Sequence, residues 1–219
     1  MINWRRITFL LAMLTPLHAS AVEVAWQTCA QAGMLAERQW GIPDGLLLAV
    51  GRVESGRTAP NGATVPWPWT IDANGSGRFL ADQAEAVATV RALVAAGTAS
   101  VDVGCYQVNL QQHPVAFASL EEAFDPVANA TYAARFLRAL YVREGSWEAA
   151  VAAYHSATPE HGLPYRDRVF AAWSGAAPVE AQVVAFGVRV ITPAVAGTAP
   201  GVIVLRPIAG LPVLMHGHT

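Results

Sequence analysis

Glu54 is the residue of this chain best placed for acid–base chemistry. A helix over residues 44–55 puts Leu47, Val50, Gly51 and Glu54 on one stripe, so an acid ends an otherwise apolar face. In the last turn it also meets the negative end of the helix dipole. Both effects push a carboxyl pKa upward, and an acid still protonated near neutral pH is what general-acid catalysis needs. A frayed helix end with Glu54 in water satisfies the same spacing. The residues that follow favour the buried reading. Trp67 and Trp69 stand in a turn-rich segment, then come Gly104-Cys105-Tyr106-Gln107-Val108-Asn109 and Ala153-Tyr154-His155. Aromatic faces beside amide side chains suit carbohydrate: the faces stack on sugar rings and the amides bond hydroxyl and N-acetyl groups. A core or turn role accounts for Trp67 and Trp69 equally well.

Helices must position these groups. Trp26, Cys29, Ala30, Gly33, Met34 and Ala36 recur at three- and four-residue spacing and predict a helix over 22–40. Gly41-Ile42-Pro43 separates it from the Glu54 helix, with Pro43 near the first helical position. Residues 57–79 are rich in Gly, Pro and Asn; within them 66–71 and 78–80 read as short strands around a Gly-rich turn. Further helices are expected over 81–96, 126–143 (capped by Asp125), from Ser146 to 154, and over 165–173, with loop or short extended chain over 98–114. The fold class is mainly α, with a small β element after the Glu54 helix.

The chain has 219 residues, 14 basic against 16 acidic, and every basic residue is arginine. This length suits one domain with an appendage. The near-neutral charge offers no basic stripe for nucleic acid, and 53% apolar residues exclude a disordered chain. The apolar surplus lies at the ends. Arg5-Arg6, an apolar run over 7–17 and Ala19-Ser20-Ala21 form a signal-peptide pattern with cleavage after Ala21. That run is shorter than the about 20 residues a spanning helix needs; an uncleaved anchor is the alternative. Without residues 1–21 the charge falls to −4. The expected mature protein is exported to the periplasm or cell envelope and has no membrane segment. In such an oxidising place Cys29 and Cys105, the only cysteines, are expected to form one disulfide; two buried free thiols are the alternative. Residues 22–175 then form the domain and 176–219 a Pro-, Gly- and Val-rich extension with three charges. His216 and His218 at its end do not make a metal site, and no metal or cofactor is expected.

In their order and motifs, these residues resemble the soluble lytic transglycosylase (SLT) domain family, whose fold is goose-lysozyme-like. The resemblance runs from about Cys29 to Trp173. Glu54-Ser55 is similar to the family's catalytic Glu-Ser, the Gly104–Asn109 segment to its Gly-x-x-Gln-x-Asn motif, and Ala153-Tyr154-His155 to its Ala-Tyr-Asn motif, with His155 in place of Asn. Tyr165 falls where the family keeps a later tyrosine. Trp67-Pro68-Trp69-Thr70 with Gly75 and Gly77 resembles a branch of small exported members that accompany secretion and conjugation machines, which makes such a machine an expected partner beside peptidoglycan glycan strands.

The resemblance implies cleavage of the β-1,4 bond between N-acetylmuramic acid and N-acetylglucosamine without water. Glu54 would act as acid and then as base, and a 1,6-anhydro sugar would form, outside the paired-carboxylate rule. Ser55, Gln107, Asn109 and Tyr154 would orient Glu54 or the N-acetyl group, with Trp67, Trp69, Tyr106, His155 and Tyr165 as further supports. A muramidase that pairs Glu54 with Asp72, Asp102 or a held water is the hydrolytic alternative, although Asn74, Gly75 and Gly77 suit Asp72 to a turn. A non-catalytic component of an envelope-spanning machine is the alternative of another class, and it would have no need of Glu54.

Overall fold

The computed structural model of the chain describes residues 21–174, with side chains from residue 25. The extension over 176–219 and the expected signal peptide lie outside them, apart from Ala21, which opens the first helix. The elements are α1 (Ala21–Trp40), α2 (Leu46–Ser55), β1 (Gly56–Thr58), β2 (Thr64–Pro66), β3 (Thr70–Ala73), β4 (Ser76–Phe79), α3 (Gln83–Ala95), β5 (Val101–Val103), β6 (Val108–Asn109), α4 (Leu120–Ala123), α5 (Pro126–Glu144), α6 (Trp147–His155) and α7 (Pro159–Ser174). None of the described helices is long and apolar enough to cross a membrane.

Two apolar cores divide the work. Helices α1, α2, α5, α6 and α7 share the larger one, around Leu46, Leu47, Val50, Leu137, Val151 and Val169. Ala130, Ala133 and Ala134 on α5 are fully buried in it; their small side chains let helices pack closely. The smaller core lies between the sheet and α3, around Ile71, Val87, Val90, Val101, Val103 and Phe124. That sheet is antiparallel in the order β4-β3-β5-β6, with Asp72 opposite Asp102 and Asp102 opposite Asn109. β1 and β2 form a separate hairpin. A disulfide joins Cys29 of α1 to Cys105 beyond β5, with Cα atoms 5.7 Å apart across 76 residues of chain.

Several boundaries differ from the sequence reading. α2 begins at Leu46, not near Asp44, because Gly45 takes φ 80° as its N-cap and has no capping side chain. Glu37 of α1 does that job from the neighbouring helix, accepting from the backbone N–H groups of Gly45 (2.9 Å), Leu47 (2.7 Å) and Leu48 (3.1 Å). Glu37 is 2% exposed, so its carboxylate replaces the missing cap and meets the positive helix end. The expected strand over 66–71 is two strands: Pro66 and Pro68 lack donors, and Trp67 N–H donates across to Ser55 C=O. The loop over 98–114 contains β5 and β6, which complete the sheet. α7 begins at Pro159, a turn and a half before the expected Tyr165, and carries Pro164 within it. Short α4 went unforeseen, yet it has a capping box: Ser119 Oγ accepts from Glu122 N–H and the Glu122 carboxylate reaches back to Ala118 N–H. The caps expected at Asp125 and Ser146 accept from Ala128 and Ala149 N–H.

Candidate active site

Glu54 sits in the last turn of α2, and the chain after it is tied down by its neighbour. Ser55 Oγ is 1% exposed and donates to Cys105 C=O (2.6 Å), fastening the helix end to the Gly104–Asn109 segment. The disulfide holds that segment to α1. Tyr106 is fully buried and donates to Cys29 C=O (2.9 Å). It packs so tightly that a Cβ on Gly51 of α2 would meet its ring at 2.9 Å. From α6, Tyr154 Oη donates to Tyr106 C=O (2.8 Å). From α7, Tyr165 Oη donates to Glu54 Oε1 (2.6 Å). α1, α2, α6 and α7 thus converge on one carboxyl and one loop.

Glu54 is partly buried, and its carboxyl is pushed up to about 7. Desolvation is the main cause; the carboxylates of Asp102 and Asp72 add to it, while the Tyr165 hydrogen bond and Arg168 oppose it. Near neutral pH the group is therefore divided between acid and base.

The carboxyl opens on a cavity of about 300 Å³. Asp72, Asp102, Gln107 and Asn109 line one side, from the sheet and the loop between β5 and β6; Tyr154 and His155 come from α6. The amides are mostly engaged. Asn109 Nδ2 donates to Ser100 Oγ (2.9 Å) and Asp102 Oδ1 (2.6 Å), and its Oδ1 accepts from Gln111 and Gln112 N–H. All four of its hydrogen-bonding positions are used, so Asn109 shapes the loop and offers no free amide. Gln107 takes φ 45° and donates from Nε2 to Thr70 and Gly104 C=O, which leaves its Oε1 for a ligand. Asp72 Oδ1 accepts from Gly75 N–H (2.6 Å), a turn contact.

Three sequence expectations are corrected here. Trp67 is 2% exposed, donates to Leu80 C=O (2.8 Å) and is covered by Arg57, so it is a core residue with no free face. Trp69 packs edge-on against Trp67 and against the sheet core, and it does not line the cavity. Tyr106 likewise is core, not a contact surface. The aromatic wall comes instead from Tyr132 and Phe136 of α5 with His113, which sequence reasoning missed. His113 Nδ1 and Tyr132 Oη lie 2.9 Å apart, and the His113 ring meets Phe136 edge-on at 4.7 Å. The signal was present in an aromatic pair at i and i+4 on a helix already expected there. No group of acidic, histidine and cysteine side chains suited to a metal occurs among the described residues.

A family model, the transglycosylase SLT domain, matches residues 34–162, more than half of the chain. The chain belongs to the SLT transglycosylase family. The match takes in Glu54, the Gly104–Asn109 segment and Tyr154, and it stops just before Tyr165. No curated protein and no solved structure matches the chain. The mainly helical body with a small antiparallel sheet is the lysozyme-like architecture of SLT domains. Membership points to a lytic transglycosylase with peptidoglycan as its substrate.

Proposed function

We propose that this SLT-family protein cleaves the MurNAc-β-1,4-GlcNAc bond of peptidoglycan with Glu54 as its one acid–base group. The observation that carries the reading is Glu54 itself: a carboxyl poised at about 7, held by Tyr165, opening on the cavity. Protonated Glu54 gives its proton to the glycosidic oxygen as the bond to the anomeric carbon breaks. The N-acetyl carbonyl oxygen of the substrate closes on that carbon and carries the positive charge. Glu54, now a carboxylate, takes the proton of the 6-hydroxyl as O6 attacks the same carbon and the N-acetyl group is released. The product is a 1,6-anhydro sugar, and Glu54 ends protonated as it began. Tyr165 stabilises the carboxylate between the two transfers, and Tyr154 and Ser55 hold the loop that presents Gln107.

A hydrolytic reading has Asp72 and Asp102 in its favour, since both line the cavity. Asp72 Oδ1 is bonded into its turn and Asp102 Oδ1 to Asn109, which leaves one oxygen of each carboxylate open to a water, so geometry alone keeps this reading alive. Mass spectrometry of digested glycan decides between them. Anhydro-muropeptides about 18 Da lighter than hydrolysed ones are the expected product, the difference being the water a hydrolase adds. Reducing-end muropeptides alone would make the protein a muramidase.

Tyr165→Phe removes the hydroxyl that stabilises ionised Glu54. A hydrogen bond to a charged group contributes about 1.5–3 kcal/mol, so kcat is expected to fall roughly ten- to hundredfold. The same loss raises the Glu54 pKa, so the alkaline fall in rate should move above its wild-type position near 7. An unmoved limb would mean that Tyr165 does not act on Glu54.

The Cys29–Cys105 disulfide and the signal pattern over 1–21 support export to an oxidising compartment, the periplasm or cell envelope. Service to a secretion or conjugation machine belongs to the same reading and is supported by the resemblance around Trp67–Gly77.

A further inference from the structure

His155 ends α6 beside the catalytic carboxyl, and its place there is defined by a stack. Its imidazole lies on the Tyr165 ring with centroids 4.6 Å apart and planes 6° from parallel. Tyr165 in turn donates to Glu54 Oε1. His155 therefore touches the group that holds Glu54, and it lines the same cavity while remaining exposed to solvent. Arg168 of α7 stands 5.7 Å over the Tyr165 ring.

We propose that His155 is a positioning residue for Glu54 whose neutral, stacked form is the working one, and whose protonation shuts the reaction down. The inference rests on the transglycosylase reading and adds to it a second titrating group. Flat stacking of a neutral ring fixes the Tyr165 phenol, and with it the hydroxyl on Glu54. An imidazolium in that position acts twice against catalysis. It favours the ionised form of Glu54 and so works against the proton the glycosidic oxygen needs. It also places a positive charge in the cavity where bond breaking develops one on the anomeric carbon.

The surroundings say where His155 titrates. From α7, Arg168 and His161 disfavour a further cation at His155. Glu54 from α2 shares its cavity, to which the sheet contributes Asp72 and Asp102. Tyr154 precedes it on its own helix, and His113 with Tyr132 lines the cavity as well. Desolvation leads, with Arg168 and His161 behind it, and His155 is held below the ordinary 6.5. The imidazole is thus neutral at neutral pH and becomes charged only below its ordinary 6.5. With Glu54 falling out of its acid form near 7, the rate is confined from both sides.

The test is the pH dependence of kcat/KM on purified peptidoglycan from about pH 4 to about pH 9, for the wild type, His155→Asn and His155→Gln. The wild type should give a bell whose acid limb lies below 6.5 and whose alkaline limb lies near 7. Both variants should lose the acid limb, keep the alkaline one and run on a plateau lower by roughly two- to tenfold, from the lost stack on Tyr165. An acid limb that persists in both variants, as it would if Asp102 or the substrate's carboxyl groups caused it, overturns the proposal. So does a wild type whose rate stays flat below pH 7. Should neither variant fold, the His155 ring titration followed by NMR in the wild type must coincide with the acid limb, and a mismatch overturns the proposal equally. A wild type inactive at every pH would overturn the transglycosylase reading and this inference with it; an active enzyme with a persistent limb would overturn this inference alone.

Discussion

Glu54→Gln is expected to lower the lytic rate by roughly a thousandfold, within the range general acid–base catalysis supplies, and at the same time to make the protein more stable at pH 8. The amide is nearly isosteric, and its oxygen still accepts from Tyr165, so the fold has no reason to suffer. The gain in stability follows from the sign of the pKa shift. Glu54 ionises at 4.5 in the unfolded chain and at about 7 in the folded one. Between those values the folded state binds a proton that the unfolded state releases, so the cost of Glu54 to stability grows as pH rises from 4.5 and is complete above 7. Glutamine never ionises and escapes that cost. The full shift would correspond to about 3 kcal/mol; solvent screening at a partly open position reduces it to roughly 2 kcal/mol. Denaturant unfolding of both proteins should show this gap at pH 8 and close it by pH 4.5. A Glu54→Gln protein that lyses peptidoglycan normally would sink the catalytic assignment. One that is inactive but no more stable at pH 8 would show that the carboxyl is not held in its acid form by burial.

A half-buried acid of this kind is visible in a sequence only where the pattern is periodic. Glu54 was legible because the 3.6-residue repeat carries an acid to the end of an apolar stripe. The caps at Asp125 and Ser146 were legible because capping acts between residues two or three apart. The cysteine pair was legible from its count and the expected export. Glu37 was not legible. Its three partners stand eight to eleven residues away, in a helix that begins without its own cap, and no local rule joins an acid on one helix to the start of the next. Trp67 failed for another reason: a tryptophan beside turn residues has the same composition whether its face meets sugar or, as here, Arg57 and Trp26. Pro164 hid the first turns of α7, since a proline inside a helical run reads as a stop. Yet α6 and α7 meet so closely there that a Cβ on Gly162 would stand 2.8 Å from the carbonyls of both Ala152 and Ser156. Close packing of this kind overrides a local preference. Asn129 sat inside an expected helix and gave no sign of its role, because nothing in helical spacing reveals a buried amide.

That amide is the reason Gly104→Ala is expected to be the most damaging substitution outside Glu54. Gly104 takes φ +82°, and a Cβ there would stand 2.7 Å from Asn129 Cγ and closer still to Nδ2. Asn129 has no exposed surface, and it bridges three backbone groups: its Nδ2 donates to Val103 and Ala123 C=O (3.0 Å each) and its Oδ1 accepts from Tyr106 N–H (2.9 Å). Alanine would bring the left-handed backbone penalty of about 1–2 kcal/mol and would drive the amide off partners whose loss costs about 1–3 kcal/mol each when buried. A total of about 4 kcal/mol lowers Tm by roughly 10 °C in a domain of this size. The damage reaches catalysis because Tyr106 and Cys105 carry the carbonyls that hold Tyr154 and Ser55, so kcat should fall even where the variant is folded. Gly97→Ala separates the two causes. Gly97 has φ +84° but nothing within 4 Å of its Cβ position, so it meets the backbone penalty alone, with a Tm drop of only a few degrees and no change in kcat. Equal losses in the two variants would mean that the bridge made by Asn129 is not what Gly104 protects.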